Sequence, residues 1–376
     1  MKTSSFLILL LLLLRQTGTA QVPGMYLGLT PPGNTPEVFA PGIVSLPGRN
    51  ERVITFSPSG AEIFFAIGNW PTRTTMYIQY KDSAWTTPET ASFSVGHSAE
   101  EPFFSPDGSR VYFYAYPPSS ASNADLFYSE KTGDTWGPPV NVGTTLNTSG
   151  DEFHPNVVAD GSLYFANGAG RTCRAQFTGT GFLPRVQLPA NVNSWSWPDH
   201  YVAPDESYMI FTSAKAGGYG SSDLYISFRN ADSTWTTPQN LGSPINTPGY
   251  EGSADVTPDG LYMTYDNVSD IYWVKIDNVI DSLKAISGVT TAVISPSGKQ
   301  DFDLCPNPAS GYIRVRFPAA ESGPATLEIC AMTGETLISA VAENNTSVDL
   351  SRLPKGIYLA KLAKGTDIWI RKIVLE

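Results

Sequence analysis

Along residues 25–277, short runs of aromatic and β-branched residues alternate with turn residues, and no stretch sustains the apolar period of a helix. One unit shows the order most fully. Glu251 to Thr257 leads into Pro258-Asp259-Gly260, followed by Leu261-Tyr262-Met263-Thr264-Tyr265 and then Asp270-Ile271-Tyr272-Trp273-Val274. Pro presets its backbone angle and Gly tolerates positive φ, so the pattern predicts strands joined by hairpins. The same order recurs at Val111-Tyr112-Phe113-Tyr114 with Asp125-Leu126-Phe127-Tyr128, and at Tyr208-Met209-Ile210-Phe211 with Asp223-Leu224-Tyr225-Ile226. The turn phrase itself returns five times, beginning at Ser57, Ser105, Val158, Ala203 and Thr257, with spacings of 48, 53, 45 and 54 residues. That period is too long for a helix pair and suits a repeated four-stranded unit.

A fourth element follows the strand pairs at Trp85-Thr86-Thr87-Pro88, Trp136-Gly137-Pro138-Pro139 and Trp235-Thr236-Thr237-Pro238, with Phe182-Leu183-Pro184 as a weaker copy. Proline lacks an amide donor and belongs on an edge strand, the outermost place in a blade. The fifth unit ends at Lys275-Ile276-Asp277 without such an element, while Val38-Phe39-Ala40-Pro41 stands alone before Ser57. The expectation is an all-β, five-bladed propeller in which the N-terminal strand completes the last blade and removes two open sheet edges. Six blades is the alternative, if residues 22–36 hide a degenerate unit.

Glu101-Pro102-Phe103-Phe104-Ser105-Pro106-Asp107-Gly108 and Asp223-Leu224-Tyr225-Ile226-Ser227 resemble the unit of the WD40-like propeller repeats found in the Tol-Pal periplasmic propeller. The third unit departs, with Cys173 and Arg174 where Asp-Leu-Tyr would stand. The resemblance implies a propeller over residues 21–277 in an envelope or extracellular setting, and brings no single activity with it.

After Asp277 the character changes. Val279 to Ile286 suits one short helix, and residues 278–300 read as a linker, Ser/Thr/Gly-rich from Ser287 to Gln300. From Asp301, apolar alternation with frequent turn breaks indicates a small β-sandwich. Its Pro306-Asn307-Pro308 opening, Leu353-Pro354-Lys355-Gly356-Ile357-Tyr358 and Lys372-Ile373-Val374-Leu375 resemble the C-terminal sorting domain of the type IX secretion system of the Bacteroidota. That implies passage across the outer membrane by the type IX machinery as partner, then release or attachment at the surface. An Ig-like accessory domain is the plain alternative. At the other end, Lys2 precedes an apolar run from Phe6 to Leu14 and Gly18-Thr19-Ala20, the form of a signal peptide over residues 1–20. That run is too short to span a bilayer, so the mature chain is expected to start near Gln21 and carry no transmembrane segment.

The charge balance narrows the partners. With 24 basic and 35 acidic residues the net charge is −11, which repels phosphate backbones and disfavours nucleic acid. Cys173, Cys305 and Cys330 form no metal-ligand spacing; Cys305 and Cys330 either pair or are simply buried.

The candidate chemistry lies just before the turn phrases. His97, His154 and His200 stand where inner strands begin, beside Glu100, Glu101, Glu152 and Asp199. With Glu251 and Asp255 they are expected to line the channel mouth as an acidic funnel, a ligand site for a glycan, envelope component or protein partner. No resident cofactor is predicted, although a divalent cation would suit those groups. Equally, polar channel residues commonly bond to one another. Asp125, Asp223 and Asp270 are expected to fix turns by bonding backbone amides. Trp195 and Trp197 interrupt the repeat and offer aromatic contact for a sugar or apolar ligand. A sialidase would need arginines on the inner strands, which here supply acids; a lyase using channel histidines is harder to dismiss. No nucleophile elbow, His-Glu-x-x-His or phosphate loop is present. A binding module is the leading reading, a carbohydrate-active lyase or sialidase-like hydrolase the second, and a structural surface protein the third.

Overall fold

The computed structural model describes residues 25–96, 98–116, 123–193, 199–289, 302–307, 309–317, 324–331, 336–364 and 367–375. The signal segment, His97, Trp195, Trp197 and most of the Ser/Thr/Gly-rich linker lie outside the described residues. The chain forms two compact units, one up to Val289 and one from Thr290. Among the described residues, no helix is long and apolar enough to cross a membrane.

The first unit has the propeller fold. Its described residues form five small antiparallel sheets, each led by a strand that ends at a turn phrase: Glu51–Phe56, Ala99–Phe104, Glu152–Val157, His200–Val202 and Gly252–Val256. Each leading strand neighbours the next, and Gly252–Val256 neighbours Glu51–Phe56 in turn, so the five line a common axis. Apolar side chains fill the wedges between sheets. Phe64, Phe104 and Trp136 sit within 5.6 Å of one another, ring to ring, where the first two sheets meet.

The fourth position of the sheets corrects the sequence reading in detail. Ala84–Trp85 and Thr135–Trp136 only turn back onto the third strand; the lasting edge pairing is made after the prolines, by Glu89–Thr90, Val140–Asn141 and Gln239–Asn240. In the third sheet the edge is Val186–Gln187, beyond Phe182-Leu183-Pro184. Glu37–Val38 pairs antiparallel with Tyr272 and Trp273, so the N-terminal equivalent of these prolines is Pro36 rather than Pro41. The departure at Cys173 and Arg174 costs no strand, because Arg171–Ala175 pairs in unbroken register with Leu163–Asn167.

The turn phrases are closed side-chain circuits. Ser105 Oγ donates to Asp107 Oδ1 at 2.6 Å, Ser109 N donates to the same oxygen, and Arg110 N donates back to Ser105 Oγ. Thr257, Asp259, Leu261 and Tyr262 repeat the circuit. Gly108 and Gly260 take φ near +71° and +72°, as the turn requires. Glu206 occupies that place in the fourth phrase at φ 57°. Its carboxylate accepts from Arg174, Tyr164 and Arg229, bonds that offset the strain and tie the third sheet to the fourth.

Helix Asp277–Ile286 follows the last strand and belongs to the first unit. Ile280 is buried there and Leu283 O accepts from Gln239, which moves the linker's start beyond residue 286. In the second unit, one sheet contains Asp303–Cys305, Tyr312–Arg316 and Ser347–Asp349; the other orders Thr336–Ala342, Ala325–Ala331, Gly356–Lys364 and Asp367–Leu375. Ile313, Val315, Leu327, Ile329, Leu362 and Ile373 fill the space between them. Val374 N donates to Asn307 Oδ1, and Ala309 N donates to Val374 O, so the Pro-Asn-Pro opening anchors the terminal strand. All three cysteines are free thiols; Cys305 and Cys330 do not pair.

Candidate functional site

Four residues before the first residue of each turn phrase stand Val53, Glu101, His154, Asp199 and Ser253. Four of these sit at positive φ: Val53 at 40°, Glu101 at 53°, His154 at 50° and Ser253 at 52°. The strand register breaks at each of them, between Arg52 and Ile54, Glu100 and Phe103, Phe153 and Asn156, and Gly252 and Asp255. A bulge re-aims the side chain it carries, and here it turns the same position of successive sheets toward the axis.

The side chains so aimed bond to each other around Asp199. Its Oδ1 lies 2.6 Å from His154 Nε2, and its Oδ2 accepts from Ser253 Oγ at 2.9 Å, Tyr250 Oη at 3.2 Å and Arg52 Nη2 at 3.3 Å. His154 Nε2 also lies 3.0 Å from Glu101 Oε1, while His154 N donates to Glu101 Oε2. Arg52 reaches further to Asp266 at 3.2 Å. Burial alone would raise Asp199, but His154 and Arg52 hold it well below the usual carboxylate range. Burial disfavours charge on His154, yet Asp199 and Glu101 outweigh it and raise the imidazole. Glu101 is pushed up to about 7, first by burial, with His154 opposing and Asp199 adding to the rise. The imidazole thus holds the place between two carboxylates that a cation would need. Among the described residues, no group of three or more His, Cys, Asp or Glu side chains is arranged to hold a metal ion.

The structure brings Glu101, His154, Asp199, His200 and Asp255 to one region of the axis. His154 and His200 lie 6.3 Å apart, ring to ring, and His200 Nδ1 faces Thr172 Oγ1 at 3.5 Å. Glu152 and Glu251 do not join them. Each turns back on its own preceding loop: Glu152 accepts from Thr148 N, Thr148 Oγ1 and Arg185, and Glu251 accepts from Thr247 N and Thr247 Oγ1. The signal for this was present, since Asn147-Thr148-Ser149-Gly150-Asp151-Glu152 and Asn246-Thr247-Pro248-Gly249-Tyr250-Glu251 are one motif. Its asparagines bond both backbone groups of Leu126 and of Leu224. Arg52, Tyr250 and Ser253 lie outside the set read from the sequence, and Arg52 adds a base to inner strands read as supplying acids and histidines. Counting four back from every phrase would have found Ser253. Asp223 acts as expected, accepting from Tyr219 N and Gly220 N.

Two cavities flank this knot. One of about 30 Å³ lies among Glu101, His154, His200, Ser253 and Asp255, room for a water molecule or two. The other, about 450 Å³, opens where the inner strands end, and its size is that of a small-molecule site. Pro58, Pro106, Pro204 and Pro258 of four turn phrases line it, with Phe103, Tyr201 and Tyr208. Asp255 lines both cavities. This concavity lies at the mouth where the inner strands end, while the expected site lay where they begin.

Residues 303–376 match the family model of the secretion system C-terminal sorting domain. The chain is accordingly exported by the type IX secretion system, whose machinery it meets through this domain, to the cell surface or the medium. No curated protein matches the chain significantly. Among solved structures, it is similar to a TolB candidate from Agrobacterium tumefaciens, at 12% identity and TM-score 0.39 over 87% of this chain and 90% of that one. It is also similar to the Cps50 (Swd1) β-propeller domain of Myceliophteria thermophila, at 9% identity and TM-score 0.36 over 59% and 82%. A thermostable family-43 glycoside hydrolase follows at 10% identity and TM-score 0.43 over 61% and 90%. Likenesses of this degree assign no function.

Proposed function

We propose that this chain is a secreted or surface-held binding module. Its signal peptide ends near Ala20, its first unit is a five-bladed propeller closed by the N-terminal strand, and its ligand enters the strand-end funnel. The observation that carries this reading is the 450 Å³ cavity walled by turn phrases from four of the repeats. Acid-base chemistry by the Glu101–His154–Asp199 cluster would need that cluster to touch a substrate, and the space beside it admits only water. The partner is a glycan, an envelope component or a surface protein.

The reading is tested with the mature full-length chain on immobilised envelope glycans and outer-membrane vesicles. Ser207→Trp places a bulky side chain at the funnel wall. Retention should fall at least about tenfold, as expected when the apolar contacts of a buried ligand are lost. Retention equal to that of the parent chain would remove the funnel from the account.

A further inference from the structure

The funnel's lining carries a charge pattern that names its ligand class. Asp205 and Asp255 contribute carboxyl groups, and no Lys, Arg or His is among the described residues that line it. Asp255 is 7% exposed and sits at the inner end, where the funnel meets the smaller cavity. Its polar contacts are Val256 N, at 2.7 Å, and the Thr55 side chain. Beside it Phe103, Tyr201 and Tyr208 form a continuous aromatic wall, with ring centroids 6.4 Å and 6.1 Å apart. Burial holds the carboxyl up to about 7, the state expected when a desolvated acid meets no counter-charge.

Resting on the funnel reading, the geometry points to an organic cation as the ligand: a substituted ammonium group whose charge meets Asp255 and whose alkyl groups pack on Phe103, Tyr201 and Tyr208. Aromatic faces attract such cations through their quadrupoles, and a weakly hydrated quaternary ammonium gives up little on entering an apolar funnel. A carboxylate at the floor adds attraction that a neutral molecule of the same shape cannot gain. A bare metal ion is a poorer occupant, since the wall offers rings and prolines where it needs several oxygens.

Calorimetry on the full mature chain tests this, with choline as the probe and 3,3-dimethylbutan-1-ol as its uncharged isostere. Choline should bind at least about tenfold more tightly than the isostere, and Asp255→Asn should shrink that difference to the few-fold share that the aromatic rings supply. Tyr208→Leu should weaken choline several-fold while leaving the isostere nearly unchanged. Thermal melts of each variant check that the fold is retained. Equal affinity for the two probes overturns the cation assignment and leaves the funnel as an apolar site. Absence of choline binding also overturns it. In that case the Ser207→Trp comparison decides separately whether the funnel binds anything: lost retention keeps the module reading, and unchanged retention ends both.

Discussion

At the scale of single residues, the axis separates two kinds of buried charge. Asp199 is answered by His154 and Arg52, so removing it takes one carboxylate from each and leaves His154 with Glu101 and Arg52 with Asp266. Asp199→Ala should cost about 1.5–3 kcal/mol in urea unfolding, the range for losing hydrogen bonds to a buried charged group, and a loss below about 1 kcal/mol would show that the knot contributes little. Asp255 has no such answer. Its folded value of about 7 lies above the ordinary 3.8, so the folded chain keeps a proton that the unfolded chain has already released in that window. Stability from this group is therefore full below about pH 4 and falls as pH rises toward 7. Asp255→Asn should raise the melting temperature at about pH 8, leave it nearly unchanged at about pH 4, and so flatten the decline. His154 acts in the same direction, since its raised folded value makes its contribution fade as pH rises. Asp199 acts at the acid end, where its contribution is lost as pH falls below 3.8 toward its lowered folded value.

At the scale of elements, the bulged inner strand is the device that makes the axis polar. Val53 holds a β-branched side chain at φ 40°, a conformation that costs roughly 1–3 kcal/mol, and it does so without the hydrogen bonds that Glu101 and His154 gain. Val53→Gly should be neutral or stabilising by about 1 kcal/mol, measured by thermal unfolding, where a glycine in an ordinary strand would destabilise. The Asn-Thr-x-Gly-x-Glu loops make the opposite point. Glu251→Ala leaves Thr247 N without its acceptor and should cost about 1–3 kcal/mol. The hairpins and the turn phrases were legible because Pro-Asp-Gly and aromatic alternation are local signals. The bulges were not, because an extra residue leaves the composition of a strand unchanged and shows only in its pairing. For the same reason Glu152 and Glu251 looked like channel residues. They precede the phrase by six positions, and two residues on a bulged strand decide between facing a loop and facing the axis. Arg52 escaped notice because the position beside each bulge holds a different residue type in every repeat: Arg52, Glu100, Phe153 and Gly252.

At the scale of the molecule, the chain has two units with separate cores, and the second carries the export signal. Truncation after Val289 should leave the melting transition of the first unit in place while ending release from the cell, read by calorimetry and by fractionation. Loss of both together would mean that the units depend on each other for folding. The pairing of Glu37–Val38 with Tyr272 and Trp273 joins the start of the first unit to its end. Contacts so distant in sequence form late, because the loop they close must be ordered before they contribute. The edge of the fifth sheet thus stays open until every earlier strand exists, and a chain cut short anywhere before residue 271 can never cover it. Such fragments keep an unpaired sheet edge and lack the sorting domain as well, so one truncation removes both the edge pairing and the export signal.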